Sequence, residues 1–224
     1  VVADRQTAGR GRRGRSWESS AGTSIYFTIV IRPTFVPDKA SMITLVMALS
    51  VAEAIQEATG LDTGIKWPND IVVNGKKVVG ILTEMSMTPE MNEIQFLVAG
   101  VGVNVNQETP QDFPEEIRET ATSLRIESGR QTDRAALLER ILARFETDYE
   151  TFESTLDLSG LQTRYEARLA GRNAAVRVLD PAGEYTGISR GITDTGELIV
   201  EKETGETVLV YAGEVSVRGL YGYV

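Results

Sequence analysis

Residues 71–82 read Ile71-Val72-Val73-Asn74-Gly75-Lys76-Lys77-Val78-Val79-Gly80-Ile81-Leu82. Asn-Gly between two apolar, β-branched runs is the strongest short-range signal for a hairpin, because both turn residues accept positive φ. Working outward, residues 65–67 give a short strand before Pro68, which interrupts pairing, and Asn69-Asp70, which favours a turn. On the other side the strand runs from 76 to 87, turns around Thr88-Pro89 and returns over 94–103. Residues 24–31, SIYFTIVI, form another buried strand, so consecutive strands argue for an antiparallel or mixed sheet. Between them lies a long amphipathic helix over 39–59, with Ile43, Met47, Val51 and Ile55 at helical spacing and Gly60 as its stop.

Residues 106–116 are rich in Pro, Gln and acid and read as a loop. Helices are expected over 133–152 and 161–170, the second stopped by Gly171. Beyond Gly171 the texture changes to five short β runs, 174–179, 185–192, 198–202, 207–211 and 215–218, separated by Gly-containing turns. That rhythm predicts a small barrel, with a domain boundary near Gly171.

The chain has 224 residues and 42% hydrophobic content, enough for a sizeable core in one or two domains. It contains no Cys and no His, which excludes thiolate nucleophiles, Ser-His-Asp triads and His or Cys metal sites. Chemistry must run on carboxylates, Lys, Arg, hydroxyls, backbone amides or an oxygen-held metal. With 32 acidic against 23 basic residues the net charge is -9, so any basic partner site is local. No apolar run approaches the ~18 residues that span a bilayer and no signal peptide is visible, so a cytoplasmic setting without a membrane partner is expected.

Four segments carry candidate chemistry. Residues 6–17, QTAGRGRRGRSW, hold four arginines and three glycines: a phosphate or carboxylate site, or alternatively a solvated or RNA-binding basic loop. Lys66-Trp67-Pro68-Asn69-Asp70 either projects Lys66 and Asp70 into a cleft or is a plain turn with a packing tryptophan. In 76–82, KKVVGIL, a glycine amid β-branched residues marks close approach of a ligand or of backbone, and the lysines otherwise serve solubility. Gly100-Val101-Gly102-Val103-Asn104 is the fourth, and its bland reading is a bulge and an Asn turn.

In this order and spacing, followed by a small β domain, GRGRRGRSW, KWPND, KKVVGIL and GVGVN resemble the biotin protein ligases over essentially the whole chain. The resemblance implies an α+β fold: a mixed sheet flanked by helices, akin to class II aminoacyl-tRNA synthetases (1–171), and a C-terminal SH3-like β-barrel (172–224). It implies two-step acyl transfer, in which biotin and ATP with Mg²⁺ give biotinyl-5'-AMP, and the biotinyl group passes to a lysine of a biotin carboxyl carrier protein. Carried over by position, Gln6, Gly9, Arg10, Lys77 and Gly80 are expected at biotin. Arg12, Arg13, Arg15, Trp17 and Asn104 are expected at ATP or the adenylate, and Arg12, Lys77 and Asp70 in catalysis, with Asp70 receiving the carrier lysine's proton. The resemblance names no metal ligands.

Family members also carry, upstream of the Gly-Arg motif, a Ser-Thr segment that binds the biotin ureido group and supplies the first strand and helix. Without it, hydrogen bonds worth about 1 kcal/mol each are lost and weaker biotin binding is expected. No DNA-binding helix-turn-helix is visible, so the resemblance is to the monofunctional type with no DNA partner; family members occur as monomers and homodimers. The alternatives are a lipoate or octanoate-protein ligase-like acyltransferase, against which stands the lack of a triple glycine, and a non-enzymatic RNA-binding module using the Arg/Gly loop.

Overall fold

The computed structural model describes residues 1–14, 17, 19–88, 93–213, 216–219, 223 and 224. A six-stranded sheet is built from β1 (Val2–Ala3), β2 (Ser24–Ile31), β3 (Gly64–Lys66), β4 (Asp70–Val73), β5 (Lys76–Thr88) and β6 (Glu93–Asn104). Its order is β1-β2-β6-β5-β4-β3. Every pairing of these strands is antiparallel; among the described residues, parallel contact is confined to the isolated bridges Ile65 with Leu169 and Lys77 with Ala121. The Asn-Gly hairpin forms as its chemistry dictates, with Asn74 and Gly75 at φ 49 and 75 and Val73 facing Lys76.

A bulge between β4 and β5 has the larger consequence. Ile71 faces Val79 but Val72 faces Lys77, so Val78 is an extra residue on β5. Val78 and Val79 are both fully buried. The inserted residue reverses the alternation, so Lys77 shares a face with Gly80, which an unbroken strand would have put on the opposite side.

Helix α1 (Met42–Thr59) lies across the core and ends at Gly60, whose φ of 77 provides the left-handed stop. It starts three residues later than the periodicity suggests, because Pro37–Lys39 form a separate 3-10 turn. By length and composition the segment 37–59 is apolar enough to cross a membrane, although polar residues interrupt every apolar run in it. It serves as a core helix, with almost every residue from Met42 to Ile55 buried beside α3. The short helix α2 (Leu124–Ser128) is capped by Ser123, whose Oγ accepts from the Ile126 N–H. Helix α3 (Arg134–Thr155) is capped by Asp133, which accepts from the N–H groups of Ala135 and Ala136. Helix α4 (Gln162–Ala167) is shorter than the expected 161–170.

One ionic cluster ties these helices together. Asp148 is 1% exposed; it receives Arg164 Nη1 at 2.7 Å and the Ser50 hydroxyl at 2.8 Å. Glu53 takes Arg164 as well as Arg144. Burial alone would raise the Glu53 carboxyl, but the Arg164 hydrogen bond and the charges of Arg164, Arg168 and Arg144 hold it below its ordinary value.

The C-terminal sheet contains β7 (Ala175–Leu179), β8 (Tyr185–Ile192), β9 (Leu198–Glu201), β10 (Thr207–Val210) and β11 (Ser216–Gly219), in the order β10-β9-β8-β7-β11. The arrangement is SH3-like, but among the described residues β10 and β11 do not pair, so the expected barrel is an open sheet. Its 193–196 turn packs against the first sheet's core: Trp67 is buried and its Nε1 donates to Gly196 O at 3.0 Å. Leu45, Leu158 and Met42 surround Gly196.

Candidate functional site

One row of cross-strand partners sets the site. Lys66 faces Asp70, Asp70 faces Gly80, Gly80 faces Gly102, and Gly102 faces Tyr26. Directly opposed residues share a face of the sheet, so five strands contribute to one surface whose centre is two glycines. The Trp17 indole lies on that glycine floor. A Cβ at Gly80 would come within 2.5 Å of its Cζ3, and one at Gly102 within 2.8 Å of its Cε2. Gly9 holds the loop end, accepting the Trp17 N–H at 2.9 Å.

Above the floor, the charged groups interlock. Lys77 Nζ lies 2.6 Å from Asp70 Oδ1 and 5.3 Å from the Trp17 ring centroid. The backbone of Lys77 is clamped, its N–H donating to Thr120 O and its carbonyl accepting from Thr122. Asn69 Nδ2 donates to Asp70 Oδ1 and to Ile81 O, while Asn69 Oδ1 accepts from Arg12 Nη1 at 2.9 Å. Arg12 also reaches the C-terminal unit, donating to Gly213 O at 2.7 Å. From that unit Tyr223 donates its hydroxyl to Asp70 Oδ2, and Lys66 Nζ stands 3.4 Å over the Tyr223 ring.

Two cavities flank Trp17. The larger, about 810 Å³, is lined by Ser20, Lys66, Asp70, Asn104, Gln107, Phe113, Arg218 and Tyr223. The smaller, about 320 Å³, lies along the sheet and is lined by Gln6, Arg10, Gly80, Leu82, Val98 and Gly102. Gly11, Arg12, Trp17, Asn69 and Lys77 border both, so the two basic side chains stand where the cavities meet. In the larger cavity's wall, Trp17 Nε1 and Gln107 Oε1 are buried with no hydrogen-bond partner among the described residues, although Gln107 Nε2 is held by Ser24.

The structure thus brings together Arg12, Trp17, Asp70, Lys77 and Gly80. Asn104 is buried in the larger cavity's wall, donating to Thr122 O. Gln6 and Arg10 line the smaller cavity, Arg10 being largely exposed and paired with Glu84. Arg15 lies outside the described residues, and of Arg13 only the backbone, in the 3-10 turn Arg12–Gly14, is described. Sequence reasoning assigned no role to Asn69, Gln107 or Tyr223. Asn69 sat inside a quoted motif and was findable; Tyr223 meets Asp70 across 153 residues, and no local pattern announces it.

Fold and site together define a protein with two adjoining cavities over one glycine-floored sheet, with cations at their junction. Residues 1–104 match the Biotin/lipoate A/B protein ligase family and residues 173–218 the Biotin protein ligase C terminal domain. A biotin acetyl-CoA-carboxylase ligase from Mycobacterium tuberculosis is 34% identical over 220 residues, 96% of this chain and 77% of that protein. The bifunctional ligase/repressor BirA of Bacillus subtilis is 40% identical over 205 residues, 92% of this chain, and the chain spans 62% of that relative's length. A solved biotin protein ligase from Aquifex aeolicus, in complex with biotin and ATP, superposes with a TM-score of 0.84 at 34% identity, covering 97% of this chain and 88% of that one. The chain belongs to the biotin protein ligase family.

Proposed function

We propose that the chain joins biotin to a lysine of a biotin carboxyl carrier protein through biotinyl-5'-AMP, with biotin in the smaller cavity and ATP in the larger. The observation that carries this reading is the shared border: Lys77 and Arg12 line both cavities, where a carboxylate in one would meet an α-phosphate in the other. In the first step a biotin carboxylate oxygen attacks the α-phosphorus, and the bond to the β-phosphate oxygen breaks, its electron pair leaving with pyrophosphate. The carboxylate is already ionised at pH 7, so the step needs positioning and charge neutralisation, not a base. Trp17 and Asn104 serve the adenylate; Gln6, Gly9, Arg10 and Gly80 serve biotin.

In the second step the carrier amine attacks the biotinyl carbonyl carbon. A C–N bond forms, the C–O bond to phosphate breaks, AMP leaves with the electron pair, and the ammonium proton passes to Asp70. Among the described residues no group of three or more acidic side chains is placed to cage a metal. Mg²⁺ in this reading enters with the ATP phosphates, as that ion usually does. Residues 1–171 act as the biotin- and ATP-binding unit and 172–224 as the C-terminal domain, a division supported by the absence of any strand shared between the two sheets among the described residues. A cytoplasmic setting, where ATP is available, belongs to the same proposal.

The names of the biotin acetyl-CoA-carboxylase ligases among the relatives favour biotin over lipoate. Incubation of the chain with biotin, ATP, Mg²⁺ and a carrier domain is expected to add the mass of one biotinyl group to the carrier. No mass gain, or equal gain with lipoate, would overturn the reading.

A further inference from the structure

We infer that Tyr223 is a positioning residue for the transfer half-reaction, acting through Asp70; the inference rests on the proposed role of Asp70 toward the carrier lysine. Asp70 is held from both sides. Its Oδ1 receives Lys77 at 2.6 Å and Asn69 at 3.1 Å, and its Oδ2 receives the Tyr223 hydroxyl. Lys66, the direct cross-strand partner of Asp70, lies over the Tyr223 ring at 3.4 Å and so fixes the phenol from its other side. Lys66, Asn69, Asp70 and Lys77 come from one stretch of 12 residues and Tyr223 from 153 residues beyond Asp70, and all five line the same cavity wall.

A carboxylate oxygen has two lone pairs, and Tyr223 occupies one at Oδ2. The other is left for the amine of the carrier lysine, which must give up its proton as it attacks. Lys77 and Asn69 alone constrain only the Oδ1 end, and a carboxylate gripped at one oxygen can swing. Tyr223 removes that freedom, turning Oδ2 to a fixed direction in the cleft. Because Tyr223 follows the C-terminal sheet, this contact makes that unit part of the acceptor's surroundings.

The test uses the full chain with Tyr223→Phe, Asp70→Asn and the double variant, each half-reaction being followed in single turnover. Phenylalanine keeps a ring beneath Lys66, and thermal melting checks folding. Tyr223→Phe is expected to slow transfer from preformed biotinyl-AMP to a carrier domain by about tenfold, the scale of one hydrogen bond to a charged group, and to slow adenylate synthesis less. In the Asp70→Asn background it should add little, as coupled residues do. With hydroxylamine, a nucleophile already neutral at pH 7, the loss should shrink. Equal losses in both half-reactions, full additivity with Asp70→Asn, or faster transfer by Tyr223→Phe, as a blocking latch would give, overturns the inference alone. A wild-type chain that makes no biotinyl-AMP overturns the functional reading and the inference with it.

Discussion

Replacing Lys77 by alanine removes one of the two cations at the junction of the cavities while leaving the hairpin that carries it. Two unit charges about 4 Å apart interact by roughly 4 kcal/mol at an effective dielectric of about 20. Removal of one preorganised donor from a developing negative charge costs about 2.7–4 kcal/mol in comparable sites. The Lys77 side chain retains 25% exposure, so the lower end applies. At about 1.36 kcal/mol per decade, adenylate formation should fall about a hundredfold.

Lys76 is the internal control. It lies one residue away on the same strand, outside the bulge, and faces Val73 beside the Asn-Gly turn. Alternation directs it away from the face that Lys77 shares with Gly80, so Lys76→Ala should change the rate by less than about threefold. Pyrophosphate release at saturating biotin and ATP measures both, and thermal melts separate chemistry from folding, since Lys77→Ala also leaves Asp70 without its ion-pair partner. A loss below threefold for Lys77→Ala, or a larger loss for Lys76→Ala, refutes the assignment and the bulge argument behind it.

Asp70→Asn should slow transfer from preformed biotinyl-AMP more than it slows adenylate synthesis, because only the second step has an amine proton to lose; single-turnover rates showing the reverse would move Asp70 to the nucleotide site. Gly102→Ala puts a Cβ 2.8 Å from the Trp17 indole, and calorimetric titration should show biotinyl-AMP binding weakened roughly tenfold; an unchanged Kd would dismiss the glycine floor. Arg164→Ala strips the partner from Asp148, 1% exposed, and should cost about 2–3 kcal/mol, or roughly 4–12 °C in Tm. Glu53 is held below its ordinary 4.5, so its share of that stability is complete above 4.5 and is lost as pH falls through the folded value. The gap in Tm between wild type and Arg164→Ala should therefore narrow on acidification from pH 7 to 3; a constant gap would count against the cluster.

The hairpin of 71–82 was legible because Asn-Gly is a local device, and the helix stop at Gly60 for the same reason: each needs only positive φ at one or two residues. The bulge was not legible. Nothing in Val78-Val79 says which of two similar residues is the extra one; the choice comes from pairing with β4 and from burial of both valines. The helix α2, five residues long, has too few turns to show periodicity, and its Ser123 cap and Gly129 stop were passed over. The barrel failed to close because strand rhythm reports that strands exist, not whether the edges meet. At the site, the resemblance pointed to Arg12, Asp70, Lys77 and Gly80, which the structure brings together, but neither composition nor spacing placed Gly80 opposite Gly102. Tyr223 was out of reach altogether, since its role depends on how two sheets dock.

The basic site is local in a chain of net charge -9, for a physical reason. Screening confines a surface charge to a Debye length of about 8 Å at physiological salt, so the net charge of -9 spread over the chain does not govern a cleft lined by Arg12, Lys66, Lys77 and Arg218. Arg12, Lys66 and Lys77 are engaged before substrate arrives. Lys77 is paired with Asp70, Arg12 donates to Asn69 and to Gly213 O, and Lys66 lies over the Tyr223 ring, which lowers the cost of holding cations in a partly dry cleft. On the proposed reading, an incoming carboxylate and phosphate compete with Asp70 for Lys77. To the extent that they win, Asp70 Oδ1 loses its strongest partner and the carboxylate becomes a better acceptor just when the carrier amine needs one. On that reading the ion pair would order the two half-reactions: Lys77 would be drawn to the adenylate first, and Asp70, still held by Tyr223 and Asn69, would be left to meet the lysine.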